Sequence, residues 1–599
     1  MKIEEGFQQN PLTLTRAYSD DPALRALLER TLPASIFNEI ELEFEAFERR
    51  LAGPIRRWAL PIDSMPASIE PTLTQYDQWG QRIDTLETSE SWRQLKQVAI
   101  EEGLVAISFE RKEGEFSRTR AFAKAYLFAP EGLYVGCPIS MTDGAARVLE
   151  LAGTQQMKEN ILPKLTSWNP QEAFIAGQWM TERTGGSDVS LTETVARPED
   201  PARTSPGDWF VLDGFKWFSS ATDGHVALAL ARTGEPAAGS KGLSLFLIEL
   251  RDEAGRTNGV HIHRLKKKFG TKALPTAELS VANCRARLVG PLGSGVRTIS
   301  TVLNITRLHS SLSCVASLRR GLVIAKAFAK VRHIAGGTNQ LLANNAMHTN
   351  ALVKAELTHR ATLHLVFGAI RLLGRSEVLG EQFGEEEKSR LRLLTPVVKS
   401  FAAEICTTEL PDLMASLGGQ GYMVENQFAR IIADANVERI WEGTTSVLSL
   451  DVVRVIIQTK GQAVRDFVAW SRSVLADASH LAAAVEKSEA RLQLLERTAQ
   501  SYLEPERRKG PEPRMSRPLL FLLGYIASTT YLIEQATWST NKGRHEADLD
   551  RWLVSQWIEI GGSRDIETSL ERLLSESDGK NDMARERALV YGLERGSKM

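Results

Sequence analysis

In Ile440-Trp441-Glu442-Gly443-Thr444-Thr445 a carboxylate follows two large apolar residues, and a glycine stands directly behind it. A carboxyl group projected into an apolar pocket loses hydration. That raises its pKa by as much as a few units and turns a weak base into a useful one. The plainer reading of Glu442 taken alone is a solvated helix-cap residue. Two further segments carry chemistry of a different kind. In Met180-Thr181-Glu182-Arg183-Thr184-Gly185-Gly186-Ser187-Asp188-Val189 a glycine pair lets backbone approach a ligand closely, and the flanking hydroxyls and N–H groups are donors for a phosphate or the edge of a planar ring. A plain Gly-Gly turn fits that segment equally well. In Lys216-Trp217-Phe218-Ser219-Ser220 an indole beside small hydroxyl residues can cover one face of an aromatic cofactor, although a lone Trp on a strand is more often core.

The elements that must position these residues read as helices, then strands, then helices. Residues 1–160 are mostly helical in texture, with an irregular proline-containing stretch near Pro61–Pro71. From about 168 to 300, short apolar segments alternate with Gly, Asp and Asn, as strands and turns do. His225–Ala231 alternates large residues with alanine, and Leu243–Leu250 is almost wholly apolar. Asp213-Gly214, between two apolar segments, accepts the positive φ angles of a two-residue turn and predicts a β-hairpin. Beyond Pro291, Leu308, Leu312, Val315, Leu318 and Leu322 recur at steps of three and four, one stripe of a long helix. The proline-rich segment Leu503–Pro518 reads as a loop. The expectation is an α+β chain: an N-terminal helical domain with its extension (1–165), a central β-sheet or barrel domain (166–300), a C-terminal helical bundle (301–460) and an additional helical C-terminal domain (461–599).

Length and composition limit the function classes. At 599 residues the chain is too long for one core, and 43% hydrophobic with 25% charged residues is the balance of an ordinary globular protein. The net charge is −1, so no global field draws it to nucleic acid or an anionic membrane. Residues 461–599 hold 20 Lys+Arg against 21 Asp+Glu, and the basic knot Arg507-Arg508-Lys509 is interrupted by glutamates, so nucleic acid is not an expected partner. Four scattered cysteines give neither a CxxC pair nor a metal site, which fits a reducing compartment. The apolar run Leu519–Ala527 is far short of the roughly 20 residues needed to span a bilayer, and a buried helix is expected there. The N-terminus lacks the marks of a secretory or mitochondrial leader. The terminal Ser597-Lys598-Met599 is similar to the peroxisomal address Ser-Lys-Leu. An intracellular location is expected, peroxisomal if the source is eukaryotic and cytoplasmic otherwise.

Together the three motifs resemble the acyl-CoA dehydrogenase family over about residues 90–460. MTERTGGSDV is similar to that family's flavin-contacting loop, KWFSS to its Trp-containing strand, and Leu417-Gly418-Gly419-Gln420-Gly421-Tyr422 followed by WEGTT to the signature around its catalytic glutamate. The stretches Cys137–Gly144 and Leu265–Leu279 also read like family sequence. Gln75–Asp84 and the long C-terminal extension look most like the AidB-like branch. The resemblance implies FAD as cofactor, an acyl-CoA thioester as substrate, a homotetramer built as a dimer of dimers, and an electron acceptor that the sequence leaves open. It implies that Glu442 removes the α-proton while a hydride leaves the β-carbon, and that its backbone N–H holds the thioester oxygen. Met180, Thr181, Gly186 and Ser187 would contact the flavin and its phosphate side, and Trp217, Phe218 and Ser219 would line the ring. Trp441, Gly443 and Thr444 would contact the cofactor around the base, and Arg307 would support the substrate pocket. Arg332, Gly418, Gly419 and Ser446 would serve the distal half of FAD. That half departs from the family pattern: Ala335 stands for Phe, and Ala343, Ala415 and Ser446 stand for Gln. The resemblance therefore implies altered contacts to adenine and pyrophosphate. The alternative readings are an acyl-CoA oxidase, which shares the same base and flavin, and an AidB-like flavoprotein with a nucleic-acid-binding or protective role.

Overall fold

The structure, a computed structural model, describes residues 9–59, 69–252, 255–334, 340–504, 513–575 and 579–592, the side chains of 579–582 excepted. Most of the expected Pro61–Pro71 stretch, Ala335 and Gly336, the Arg507-Arg508-Lys509 knot and Ser597-Lys598-Met599 lie outside these residues. The chain divides into two compact units, the first comprising Met1–Phe383 with Val398–Thr444, the second Gly384–Val397 with Thr445–Met599.

The first unit opens with helices α1 (Pro22–Thr31), α2 (Ala34–Arg50) and α3 (Glu90–Glu101), with a hairpin of β1 (Thr72–Tyr76) and β2 (Arg82–Glu87) between α2 and α3. Helices α4 (Ser117–Phe128) and α5 (Gly136–Ala152) follow, then strands β3 (Ala176–Trp179), β4 (Val195–Pro198), β5 (Trp209–Ser220), β6 (Val226–Arg232), β7 (Leu243–Glu249), β8 (Val260–Leu265) and β9 (Thr276–Val289). The sheet runs β3-β6-β4-β5-β9-β7, and β7 pairs back onto β6, so five of its strands close into a ring. Closure leaves both faces of β6 buried, and its sequence answers with small residues on one side and large ones on the other. Ala227, Ala229 and Ala231 pack inside against Phe210, Phe246 and Leu279, while Val226, Leu228 and Leu230 meet helix residues Leu149, Ile299 and Val302.

The expected turn at Asp213-Gly214 is corrected by the structure. Strand β5 passes straight through it, and its pairing with β9 shifts register between Leu212 and Gly214, which marks a β-bulge rather than a hairpin. The Asp213 carboxylate accepts from the Asn283 N–H at 2.9 Å and pairs with Arg197. Gly214 is required because a Cβ there would lie 2.5 Å from the Thr194 backbone.

Four long helical segments complete this unit: α6 (Gly295–Ala329), α7 (Ala346–Val378), α8 (Glu385–Ala415, divided between the two units) and α9 (Phe428–Ala435). The Leu308–Leu322 stripe of α6 is buried throughout, as its spacing demands. A buried polar clasp joins four helices. Arg118 of α4 bonds Asp143 of α5 and Glu377 of α7, each at 2.7 Å, and His309 of α6 meets Asp143 at 2.9 Å. Each of these charges has a partner, which offsets their desolvation and fixes the register of α5 against α6.

The second unit is helical, with α10 (Thr445–Gln458), α11 (Gln462–Ala476), α12 (Ala482–Ser501), α13 (Pro513–Asn541), α14 (Ala547–Ile560) and α15 (Arg564–Ser575). Of the loop expected over Leu503–Pro518, residues 505–512 lie outside the described residues, and Pro513–Pro518 are helical instead. Helix α13 already begins at Pro513, where a proline needs no N–H partner, and it carries Pro518 in its second turn. Helix α13 packs against α10, α11, α12, α14 and α15. It is long and apolar enough to cross a membrane by length and composition, yet 89% of its most apolar window is buried within the protein. Leu519, Leu522, Leu523 and Ile526 form its core face, and the Trp557 indole N–H of α14 donates to Ser528 Oγ at 3.1 Å.

Candidate active site

After α9 the chain makes a tight 3₁₀ turn, Asn436–Arg439, and reaches Trp441-Glu442-Gly443-Thr444. Glu442 and Gly443 both take left-handed backbone, with φ of 57° and 100°. For a glutamate this conformation costs on the order of 1–2 kcal/mol, so surrounding structure must impose it. Three contacts from two helices do so. From α6, Thr306 Oγ1 donates to Glu442 Oε2 at 2.7 Å, and Arg307 Nε donates to the Glu442 carbonyl at 3.4 Å. From α8, Lys399 Nζ donates to the Gly443 carbonyl at 2.7 Å. Burial pushes the Glu442 carboxyl above the ordinary carboxylate range, against the Thr306 hydrogen bond and the charges of Arg307 and Lys399, which pull it back. The result is a carboxyl group with a raised pKa and a single fixed side-chain hydrogen bond, the description of a general base.

A fully buried carboxylate stands one turn earlier. Glu438 accepts hydrogen bonds from Ser310 Oγ and from the Trp441 indole N–H. Tyr134 lies against Trp441, with ring centroids 6.1 Å apart. Desolvation raises Glu438 and lowers Lys399, and the mutual attraction of the two charges opposes both shifts. Tyr134 and the preceding Leu133 hold positive φ angles of 63° and 50°, a second strained pair facing the Glu442 turn.

The other two motifs meet on the sheet. The Trp217 N–H donates to the Thr181 carbonyl at 3.0 Å, which lays the glycine loop beside the KWFSS strand. Beneath them Lys216 Nζ and Glu182 Oε1 form a buried ion pair of 2.6 Å, and Glu182 also accepts from Thr194 Oγ1 and the Glu193 N–H, each at 2.6 Å. Met180 is half-buried against the helical side of the sheet, and Ser187 and Gly186 are exposed at the loop. Trp217 is half-buried, with the Lys266 ammonium 3.3 Å from its ring centroid, so one indole face is already covered. Phe218 is 56% exposed. Ser219 Oγ is buried and has no hydrogen-bond partner among the described residues.

The segment 266–275 links this surface to the Glu442 turn. Lys268 Nζ donates to Thr276 Oγ1, itself 3.0 Å from Ser220 Oγ. At its far end the Thr271 N–H donates to Asp434 of α9. Gly270 permits that contact, because a Cβ there would lie 2.3 Å from the Ala433 carbonyl.

The chain matches the acyl-CoA dehydrogenase middle domain over residues 177–284, the acyl-CoA dehydrogenase C-terminal domain over 293–457 and the adaptive response protein AidB N-terminal domain over 8–169. It is 36% identical over 561 residues to acyl-CoA dehydrogenase family member 11 of Caenorhabditis elegans, which covers 91% of this chain and 88% of that protein. The chain belongs to the acyl-CoA dehydrogenase family. The putative acyl-CoA dehydrogenase AidB of Escherichia coli is 29% identical over 65% of this chain and 70% of that protein. The crystal structure of Caenorhabditis elegans ACDH-11 in complex with C11-CoA superposes with a TM-score of 0.87 at 33% identity, covering 98% of this chain and 97% of that one. This family member is accordingly an FAD-dependent oxidoreductase with the family's three-part fold. The residues present fit the cofactor. A buried hydroxyl without a partner costs about 1–3 kcal/mol, and the polar edge of a flavin ring supplies what Ser219 Oγ lacks.

The distal residues are placed less uniformly. Gly418 and Gly419 begin the 3₁₀ turn Gly418–Tyr422. The Arg332 carbonyl accepts from the Leu342 N–H at 2.7 Å, at the base of the small His333–Leu341 hairpin. Ser446 belongs to the second unit, where its carbonyl accepts from Ser449 Oγ at 2.8 Å. Sequence reasoning missed Thr306, Lys399, Glu438, Glu182 and Lys216. The last two were present in the quoted motifs as an opposite-charge pair, and Glu438 lies one helical turn before the base. Nothing in the sequence marks Thr306 beyond its adjacency to Arg307.

Proposed function

We propose that this protein catalyses the α,β-dehydrogenation of an acyl-CoA thioester to the trans-2-enoyl-CoA, with Glu442 as the base. The observation that carries the reading is the Glu442 turn: a half-buried carboxyl of raised pKa, held in strained backbone by Thr306, Arg307 and Lys399. The α-carbon loses its proton to a Glu442 carboxylate oxygen, the β-carbon loses a hydride, and the electron pair left at the α-carbon closes the double bond. FAD, when bound, supplies the hydride acceptor. The Glu442 N–H is the donor for the thioester oxygen as that oxygen gains enolate charge, a fixed dipole where charge develops. Thr181, Ser187, Trp217, Phe218 and Ser219 hold the ring and its phosphate side. Trp217 presents the face opposite Lys266. Thr306 keeps one carboxylate oxygen of Glu442 occupied so that the other is left for the substrate.

The relative solved with C11-CoA supports an acyl-CoA ligand and makes a straight-chain thioester of similar length the first substrate to assay. Glu442→Gln keeps the shape and removes the base. Its turnover of decanoyl-CoA should fall about 10²- to 10⁴-fold while the bound-flavin spectrum persists. Turnover within a few-fold of wild type would reject Glu442 as the base.

A further inference from the structure

Lys399 is 0% exposed and sits on α8 among Val397, Val398 and Phe401, all buried. A lysine in such a place loses its hydration, and a methionine would fill the same volume without that cost. Among the described residues its one hydrogen bond goes to the Gly443 carbonyl, the peptide directly behind the base, at 2.7 Å. The charged and titratable groups facing it are Glu438 and Glu442 of the turn, together with Arg307 and Cys314 of α6. Cys137 of α5 interacts with Lys268, Glu438 and Glu442. Glu438 in turn accepts from Trp441, the residue before the base, so Lys399 and Glu438 grip the Trp441–Gly443 segment from its two ends.

We propose that Lys399 is a positioning residue that fixes the orientation and electrostatic environment of Glu442, with Glu438 as its counter-charge. The inference rests on the reading of Glu442 as the base. Its hydrogen bond holds Gly443 in the left-handed conformation that aims the Glu442 side chain. Its positive charge favours the carboxylate form of Glu442 against the desolvation that disfavours it. Methionine at this position loses donor and charge, glutamine keeps a donor without the charge, and arginine keeps both.

The test uses full-length, FAD-loaded K399M, K399Q and K399R with E442Q as reference. Infrared difference titration, each protein minus E442Q, reads the protonation midpoint of the Glu442 carboxyl independently of turnover. The midpoint should move to higher pH in K399M and K399Q and return toward wild type in K399R. With decanoyl-CoA, kcat of K399M should drop about 10- to 100-fold with KM little changed, K399Q should fall between, and K399R should recover most of the loss. A K399M midpoint equal to that of wild type overturns the proposal, whatever its rate. Failure of all three variants to yield soluble protein would assign Lys399 to folding and overturn it as well. A displaced midpoint in a protein whose wild type oxidises no acyl-CoA from short to long chain would sink the dehydrogenase reading and leave standing only the effect of Lys399 on the Glu442 carboxyl.

Discussion

Two glutamate–lysine arrangements in the first unit use the same side chains to opposite ends. Under the glycine loop, Glu182 and Lys216 touch at 2.6 Å, and the Thr194 hydroxyl with the N–H groups of Glu193 and Thr194 completes the carboxylate. Burial would raise Glu182, but Lys216 and these hydrogen bonds overcome it and hold the carboxyl below its ordinary range. At the Glu442 turn, Lys399 spends its hydrogen bond on a backbone carbonyl instead of the carboxylate. Glu442 keeps one side-chain donor, Thr306, and burial wins. A carboxylate saturated with donors is a bolt, and one left short of them is a base. The difference lies in where the ammonium points, not in residue type.

Breaking the closed pair should give the largest effect on stability. Lys216→Met leaves Glu182 buried without its counter-charge and should destabilise the first unit by about 3–5 kcal/mol, measured by denaturant unfolding. Because the folded-state pKa of Glu182 is depressed, its contribution is present above the ordinary carboxylate pKa and is lost as pH falls through the folded value. The deficit of the variant should therefore shrink in acid, and a deficit independent of pH would deny the pair its assigned role. The open arrangement should respond in rate more than in stability. Thr306→Val removes the hydrogen bond that lowers the Glu442 pKa, so the rising limb of kcat/KM should move to higher pH. Activity at pH 6 should then suffer more than activity at pH 8. A limb moved to lower pH would show that Thr306 acts in another way. The smallest effect is expected at the cofactor. Ser219→Ala removes a hydroxyl that has no protein partner, so stability of the apoprotein should hold or rise while FAD affinity falls about 2- to 10-fold, read by flavin titration. Unchanged affinity would remove Ser219 from the cofactor site.

Much of the frame that carries these sites was legible where one periodicity dominates. The Leu308–Leu322 stripe and the Leu-Ala alternation of β6 each match a single burial pattern. Asp213-Gly214 misled because the dipeptide that closes a hairpin also fits a bulge, and the choice was made by β9 and Thr194, distant in sequence. The β1–β2 hairpin escaped notice because Thr72–Tyr76 alternates only between exposed and half-buried and shows no apolar face. Glu442 was legible from its apolar neighbours. Its partners were not: Thr306 lies 136 positions away and Lys399 sits on another helix, and their roles exist only in the packing. Lysine within the apolar run Val397-Val398-Lys399-Ser400-Phe401 was the one signal available.

Proton removal by Glu442 is the centre of this account, and it can be seen apart from hydride loss. A 3-thiaacyl-CoA carries sulfur in place of the β-carbon and has no β-hydride to give, so only the α-proton can exchange. In D₂O, FAD-loaded wild-type protein should wash deuterium into the α-carbon, followed by NMR, and E442Q should slow that exchange at least about 100-fold. Exchange in E442Q at the wild-type rate would show that another group takes the proton and would contradict the assignment of the base.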